Sequence, residues 1–195
     1  KKTVQSKDRV RLIQEIKGMV DIFSTRSNIE VHYSGLPYIR TLVAKKLENA
    51  GSDCIVICAN TPHLVADQIQ ERIKIPILHI ADATAKELVR QNIKTVGLLG
   101  TKFVMERDFF KNVLLTYGIE TMIPDPASRE LIHHNIFAEL GKGIFSSETK
   151  SKYLEIINQV QLGGAEGVIF GCTEIPMLIK PEDCTVMTFD TTLIH

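Results

Sequence analysis

Two cysteines follow apolar runs in separate parts of the chain, and their surroundings are alike. Cys58 comes after residues 55–57, Cys172 comes after residues 167–171, and a threonine and a proline follow each of them within a few positions. Threonine is a preferred helix cap, and proline is tolerated in the first turn of a helix. The pattern therefore predicts two buried parallel strands that each deliver a thiol to the carboxyl edge of a sheet, where α/β proteins bind their ligands.

Two thiols on opposite sides of a small substrate could act as a base and an acid. The thiolate is the reactive form, and a nearby helix amino terminus would favour it through unpaired N–H groups and a positive dipole end. The same N–H groups would suit a substrate carboxylate. The competing interpretation is that Cys58 and Cys172 are packing residues, because free cysteine is often buried. Their matched positions favour the chemical interpretation.

Six polar residues near the strand ends or in a glycine-rich turn are candidate substrate contacts. They are Asn60, Thr61, Thr101, Thr173, Glu174 and Lys142. Asn60 and Thr101 could donate to a substrate from an amide and a hydroxyl. Thr61 and Thr173 have an equally simple interpretation as helix caps, although a capped terminus still offers N–H groups to a ligand.

Glu174 and Lys142 each allow two interpretations. As a carboxylate close to Cys172, Glu174 could polarise the thiol or bind a substrate ammonium group; otherwise it is a first-turn acid favoured by the helix dipole. Lys142 stands between two glycines. It either pairs with a substrate carboxylate or occupies an exposed loop.

The remaining cysteines and the histidines are expected to be structural. Cys54 and Cys184 lie in strand-like surroundings. Four residues of strand separate Cys54 from Cys58 by about 13 Å, too far for a disulfide or a shared metal. His63 and His79 are expected in the core or on a helix surface, although His79 at a strand end could line the site. No cysteine–histidine spacing matches a zinc signature, so no metal is expected.

Composition limits the partners. The chain has 23 basic and 23 acidic residues and a net charge of +0, so neither nucleic acid nor a membrane surface is expected as a partner. No apolar run approaches the ~20 residues that cross a bilayer, and no secretory signal is visible. Four cysteines without a dense framework indicate reduced thiols and a cytoplasmic location.

Apolar runs alternate with segments of helical periodicity. Strands are predicted within residues 28–34, 51–58, 75–80, 95–101, 120–123, 164–172 and 185–189. Helices are predicted at residues 8–23, 38–49, 62–72, 81–91, 103–117, 129–140 and 148–162. Continuous apolar strands between helices indicate parallel sheets covered on both faces. The predicted fold class is α/β with two lobes. The first lobe covers residues 1–80, completed by residues 185–195, and the second covers residues 81–184.

Four motifs follow the ends of predicted strands or lie within them. They are Cys58-Ala59-Asn60-Thr61-Pro62-His63, His79-Ile80-Ala81-Asp82-Ala83-Thr84, Gly97-Leu98-Leu99-Gly100-Thr101, and Gly171-Cys172-Thr173-Glu174-Ile175-Pro176 with Phe189-Asp190-Thr191. Together they resemble the aspartate/glutamate racemase family, and most closely its aspartate racemase and broad-specificity amino-acid racemase branch. The resemblance covers roughly residues 28–195.

The resemblance implies two pseudo-symmetric lobes of flavodoxin-like or Rossmann-like type, with the active site in the cleft between them. It implies an amino-acid racemase in which Cys58 and Cys172 act as acid and base on opposite faces of the α-carbon. It also implies that no cofactor is needed. The lack of a lysine in a context typical of a pyridoxal Schiff base agrees with that expectation, and residues 97–101 do not have the spacing of a phosphate-binding loop. Dimers are common in the family, so a homodimer is one expected assembly.

Two alternatives stay open at the level of sequence. Relatives on the same scaffold carry out decarboxylation or cis–trans isomerisation, with a different division of labour between the cysteine positions. A non-catalytic amino-acid-binding domain is the second alternative. It is favoured by the departure near Val4, which runs directly into Gln5 where the family has a glycine-rich turn. Val104 is a further departure, because close relatives often carry threonine there.

Overall fold

The structure is a computed structural model that describes residues 36–195. The helix predicted at residues 8–23 and the strand predicted at residues 28–34 lie outside the described residues. The described helices and strands follow in chain order. They are α1 (Leu36–Asn49), β1 (Ile55–Val56), α2 (Ala66–Gln70), β2 (Ile77–Leu78), α3 (Ile80–Arg90), β3 (Thr95–Gly100), α4 (Lys102–Glu106), α5 (Asp108–Thr116), β4 (Glu120–Met122), α6 (Pro126–Ala138), α7 (Ser147–Leu162), β5 (Gly167–Gly171), α8 (Ile175–Leu178), β6 (Met187–Asp190) and α9 (Thr191–Ile194). Short 3₁₀ helices cover Thr61–Val65, Leu140–Lys142 and Pro181–Asp183.

The described strands form two parallel sheets. The smaller sheet pairs β1 with β2, and the larger has the strand order β4-β3-β5-β6. In the larger sheet, β3 and β5 run side by side from Val96–Gly167 to Gly100–Gly171, so the two strands end together. This fold is the predicted α/β class with parallel sheets, and the ends of β3 and β5 form one edge of the sheet.

Helices cover both faces of the larger sheet. Successive strand residues point to opposite sides of the sheet, so neighbouring residues pack against different helices. Leu98 and Ile169 pack with residues of α3 and α5. Leu99 and Phe170 pack with residues of α6 and α7. A strand buried on both faces must be apolar throughout, which explains the uninterrupted apolar runs in the sequence.

The approach of β3 to β5 depends on glycine at the strand ends. A Cβ atom at Gly100 would lie 2.9 Å from the carbonyl oxygen of Gly171 and 3.2 Å from the Cβ atom of Val104. Val104 is fully buried, so the valine that departs from the family pattern fills space between the two strand ends. The edge that carries Thr101 and Cys172 is therefore closely packed.

Several predicted boundaries were wrong. The helix predicted at residues 103–117 is divided at Arg107, whose backbone is extended, into α4 and α5. The first cysteine strand is only two residues long, and Ile80 begins α3 instead of ending a strand. Periodicity over a window cannot detect a single extended residue, because the apolar residues on both sides keep the helical spacing.

The C-terminal segment contacts both sheets. The prediction assigned residues 185–195 to the first lobe, whereas β6 pairs with β5 in the larger sheet. The ring of His195 lies 2.9 Å from the carbonyl oxygen of Leu78 in the smaller sheet. The last strand, β6, therefore belongs to the larger sheet. The division into lobes between residues 80 and 81 stays a prediction.

Candidate active site

The two cysteines follow strands of different sheets and differ in exposure. Cys58 lies two residues beyond β1 and is exposed, whereas Cys172 directly follows β5 and is only 9% exposed. All four cysteines of the chain, including Cys54 and Cys184, are free thiols. One thiol is thus open to solvent, and the other lies at the border of the core.

Side-chain contacts join the Cys58 segment to the ends of β3 and β5. The Nδ2 group of Asn60 donates to Oγ1 of Thr191 at 3.0 Å, and Thr191 donates to the carbonyl oxygen of Phe170 at 2.9 Å. The hydroxyl groups of Thr61 and Thr101 are 3.1 Å apart. Because Cys172 follows Phe170 by two residues, these contacts bring the two cysteine segments to one edge of the larger sheet. They also unite three of the six predicted contact residues.

Thr61 and Thr173 do not cap helices, which corrects the simpler interpretation of both residues. Asn60 occupies the cap position of the 3₁₀ helix Thr61–Val65, and Glu174 occupies that of α8. Neither of these cap residues makes a side-chain cap bond. Thr61 instead contacts Thr101, and Thr173 lies partly exposed beside Cys172.

Backbone N–H groups of Thr173 and Glu174 lower the pKa of the Cys172 thiol, as expected near a helix terminus, but larger effects outweigh them. The helix that follows, α8, has four residues, too few to supply a substantial macrodipole. Burial raises the pKa of Cys172 well above its usual value, and the negative charge of Glu174 raises it further. The Cys172 Sγ atom donates to Oε2 of Glu174 at 2.9 Å. Cys172 is therefore held as a neutral thiol.

Lys142 lies apart from this group of contacts. It ends the 3₁₀ helix Leu140–Lys142 and is exposed. This turn packs near α8, but among residues 36–195 no hydrogen bond or ion pair joins the Lys142 side chain to the other candidate residues. Its role as a substrate contact stays a prediction.

His63 has a structural role in the Cys58 segment. Its ring is 2% exposed; Nδ1 lies 2.9 Å from the carbonyl oxygen of Ala59, and Nε2 accepts from the backbone N–H of Ile80 at 3.1 Å. Nε2 must be unprotonated to accept, so Nδ1 carries the proton and donates to Ala59. Burial, with a smaller effect of the neighbouring His79, lowers the pKa of His63 to about 4. The neutral ring ties the residue after Cys58 to the start of α3.

Neither a metal-binding cluster nor a cavity defines the candidate site. Within the described range, no group of three or more histidine, cysteine, aspartate or glutamate side chains could hold a metal ion. A cavity of about 440 Å³ lies beside β2, with His79, Asp82, Lys86 and His195 among its lining residues, and neither Cys58 nor Cys172 lines it. The candidate site is therefore defined by the polar contacts at the strand ends.

No helix in the part of the chain that the structure covers is long and apolar enough to cross a bilayer.

Thr191 is the site residue that the sequence reasoning missed. It is fully buried and makes the contact between Asn60 and the strand that leads to Cys172. A signal was present, because Thr191 directly follows the last strand, as Thr101 follows β3. Both threonines lie at the carboxyl ends of parallel strands, where α/β proteins bind their ligands.

Parallel strands, helices on both faces and paired cysteine segments at one sheet edge define an α/β protein with a candidate site at the ends of β3 and β5. The family model of the Asp/Glu/Hydantoin racemases matches residues 26–195. The chain belongs to this family of isomerases, as the motif resemblance predicted.

Individual relatives agree with this assignment. A crystal structure of a proposed Asp/Glu racemase from Yersinia pestis is 42% identical, with a TM-score of 0.78, and the match covers 82% of this chain and 70% of that one. An aspartate racemase homologue from Pyrococcus horikoshii is 36% identical, with a TM-score of 0.75, covering 86% and 76% of the two chains. The broad-specificity amino-acid racemase RacX of Bacillus subtilis is 26% identical over 132 residues, which are 68% of this chain and 56% of RacX. The chain thus spans little more than half of that curated relative.

Proposed function

We propose that the chain carries the active site of a cofactor-independent amino-acid racemase that acts on aspartate, glutamate or a related amino acid. The observation that carries the proposal is the set of contacts from Asn60 through Thr191 to Phe170, which brings the Cys58 and Cys172 segments to one sheet edge. Membership in the racemase family and similarity to RacX support the reaction class. The two thiols supply the base and the acid, so the reaction needs no cofactor.

The proton transfers run from one thiol to the other. Cys58, as a thiolate, takes the α-proton, and the electron pair of the broken C–H bond remains on the substrate as a carbanion stabilised by the adjacent carboxylate. Cys172 then gives its S–H proton to the opposite face, and its sulfur becomes a thiolate. In the reverse direction the two residues exchange roles. The neutral state of Cys172 supports its assignment as the proton donor.

The threonines are proposed to hold the substrate carboxylate. Thr61 and Thr173 lie in the cysteine segments and Thr101 follows β3, and hydroxyl or backbone donors there would stabilise charge that develops on the carboxylate. Lys142 is a further proposed carboxylate contact. Glu174 is proposed to hold the Cys172 proton, because its carboxylate already accepts from that thiol.

Asn60 is proposed to bind the substrate through its oxygen. The sequence suggested amide donation, but the Nδ2 group contacts Thr191 and Oδ1 is buried with no partner among the described residues. A substrate ammonium group is the donor that this oxygen lacks. A hydrogen bond from a charged donor contributes roughly 1.5–3 kcal/mol.

The environment and assembly complete the proposal. Four free thiols support a reducing compartment, and therefore a cytoplasmic location. A homodimer is the proposed assembly, and light scattering of the purified protein would test it. Small-molecule amino acids are the only partners that the mechanism requires.

Proton NMR in D₂O tests the proposed reaction directly. Purified protein is incubated separately with the L- and D-forms of aspartate, glutamate and a panel of other amino acids, and the α-proton signal is followed. We expect the signal of both enantiomers of at least one amino acid to disappear, with chiral chromatography detecting the opposite enantiomer. Ligand binding without deuterium incorporation would contradict racemisation and favour an amino-acid-binding domain. Loss of the α-carboxyl group, or a change of double-bond geometry in a suitable substrate, would indicate one of the same-scaffold reactions.

A further inference from the structure

Thr191 is a buried residue with two polar contacts and no assigned role. It begins α9 directly after β6 and is 0% exposed. Its hydroxyl lies 2.9 Å from the carbonyl oxygen of Phe170 and 3.0 Å from Nδ2 of Asn60. The contact with Asn60 spans 131 positions of sequence.

The chemistry of these contacts determines which way the Asn60 amide faces. A carbonyl oxygen can only accept, so Thr191 must donate its single hydroxyl proton to Phe170. The Thr191 oxygen can then only accept from Asn60, and the amide must present its NH₂ group. An amide turned the other way would place two acceptors against each other. The donor and acceptor roles at Thr191 are therefore enough to fix which end of the Asn60 amide faces it.

We propose that Thr191 is a positioning residue that fixes the Asn60 amide with its oxygen directed away from Thr191, as the acceptor for a substrate ammonium group. This inference rests on the proposed racemase function for the identity of the ligand. The observation that points to a ligand is the Oδ1 atom of Asn60, which belongs to a residue only 4% exposed and has no partner among the described residues. A buried acceptor left without a donor is costly, and a charged donor would offset that cost.

The same hydroxyl connects the two halves of the site. Phe170 is the second residue before Cys172, and Asn60 is the second residue after Cys58. Thr191 therefore joins the Asn60 amide to the backbone that leads to Cys172. Substitution of Thr191 should affect ammonium binding in the ground state and the transition state alike, and thus KM much more than kcat.

The first experiment needs no substrate. Nitrogen-15 NMR of the side-chain amides compares the wild type with Thr191→Val and Thr191→Ala, which lack the hydroxyl, and with Thr191→Ser, which keeps it. The Asn60 signal is identified by its loss in Asn60→Ala. Thr192→Val is the matched control, because Thr192 is the exposed neighbour of Thr191.

We expect slow exchange of the Asn60 amide protons with water in the wild type, Thr191→Ser and Thr192→Val. Exchange should be at least tenfold faster in whichever hydroxyl-free variants fold. An Asn60 amide that exchanges equally fast in all these proteins would overturn the proposal. This outcome is independent of whether the protein racemises any amino acid.

The second experiment uses the amino acid with the fastest α-proton exchange in the wild type. Thr191→Val should raise KM about tenfold or more and leave kcat within about threefold, and Thr191→Ser should restore KM. In an Asn60→Ala background, Thr191→Val should change KM by less than about twofold, because the group that it orients is gone. An equal rise of KM in both backgrounds, or a loss confined to kcat, would overturn the proposed action through Asn60. If no amino acid exchanges, the proposed function fails, and the amide measurement still decides whether Thr191 orients Asn60.

Discussion

The Sγ atom of Cys172 lies 2.9 Å from Oε2 of Glu174, so the thiol donates a hydrogen bond to a carboxylate two residues further along the chain. Burial and this negative charge together raise the pKa of Cys172. A carboxylate that accepts from the S–H group stabilises the thiol and opposes its loss of a proton. The starting state thus contains one thiol that is well suited to donate a proton.

Glu174→Gln should separate the charge of this residue from its shape. Without the charge, the pKa of Cys172 should fall, so its alkylation should reach half its maximal rate at a lower pH. Turnover should fall at least about tenfold, equivalent to roughly 1.4 kcal/mol of barrier, with an unchanged melting temperature. The measurements are alkylation against pH in a Cys58→Ser background and kinetics in the parent background. Unchanged kinetics with slightly lower stability would instead make Glu174 a surface acid.

Cys58→Ser and Cys172→Ser should each abolish racemisation and preserve the fold, because a serine hydroxyl is far too weak a base for this proton transfer. Each variant should still exchange the α-proton of one enantiomer, because one thiol remains. Proton NMR in D₂O gives the exchange, and circular dichroism gives the fold. Cys54→Ser and Cys184→Ser are matched controls that should stay active. Near wild-type racemisation in either single variant would contradict the two-thiol mechanism.

His63 should make stability depend on pH in a defined window. The pKa of His63 in the folded state is about 4, lower than the pKa of about 6.5 of an exposed histidine. The unfolded chain therefore binds the proton more readily than the folded chain. The stability associated with neutral His63 is complete above pH 6.5 and is lost as the pH falls towards 4, by about 3 kcal/mol. Urea unfolding of His63→Gln across this window should show a smaller loss than the wild type.

Two other histidines must be considered in the His63 experiment, one as a second source of pH dependence and one as a control. Burial also lowers the pKa of His79, so His63→Gln should keep part of the pH dependence. His134 is exposed on α6, and His134→Gln is the matched control. Equal slopes of unfolding free energy against pH in the wild type and His63→Gln would refute a buried neutral His63.

Gly100→Ala should disturb the sheet edge that carries the site. The added methyl group would lie 2.9 Å from the backbone oxygen of Gly171, and a backbone atom cannot turn away as a flexible side chain does. We expect a loss of about 1–3 kcal/mol in the free energy of unfolding, typical of overpacking, and a fall in turnover from displacement of Thr101 and Cys172. Urea unfolding and exchange kinetics measure the two effects. If Gly100→Ala keeps the wild-type free energy of unfolding and the wild-type turnover, the ends of β3 and β5 can move apart without loss of stability or activity.

The alternation of helices and strands was predictable from the sequence. The apolar runs that became β3 and β5 are continuous because both faces of the larger sheet are covered, and this requirement is visible in neighbouring residues. The position of Cys172 directly after β5 was predictable for the same reason. Cys58 was correctly expected after an apolar strand, although β1 extends over only Ile55–Val56.

Polar contacts at the site could not be predicted in the same way. Thr61 had the residue type of a helix cap and sits at the start of a 3₁₀ helix, yet its hydroxyl contacts Thr101, 40 positions away. A threonine has the same local preference whether or not a second hydroxyl approaches it. Only the packing of the two segments determines whether the Thr61 hydroxyl makes a cap bond or a hydrogen bond to a residue distant in the sequence.

The sequence by itself determined the α/β class, the family and the two thiols, because each depends on patterns within a few consecutive residues. The tertiary structure decided the charge state of Cys172, the orientation of the Asn60 amide and the part taken by Thr191. It also decided that β6 joins the larger sheet. These properties depend on burial and on partners up to 131 positions apart, and hydrogen bonding between such residues is possible only once the fold has brought them within about 3 Å.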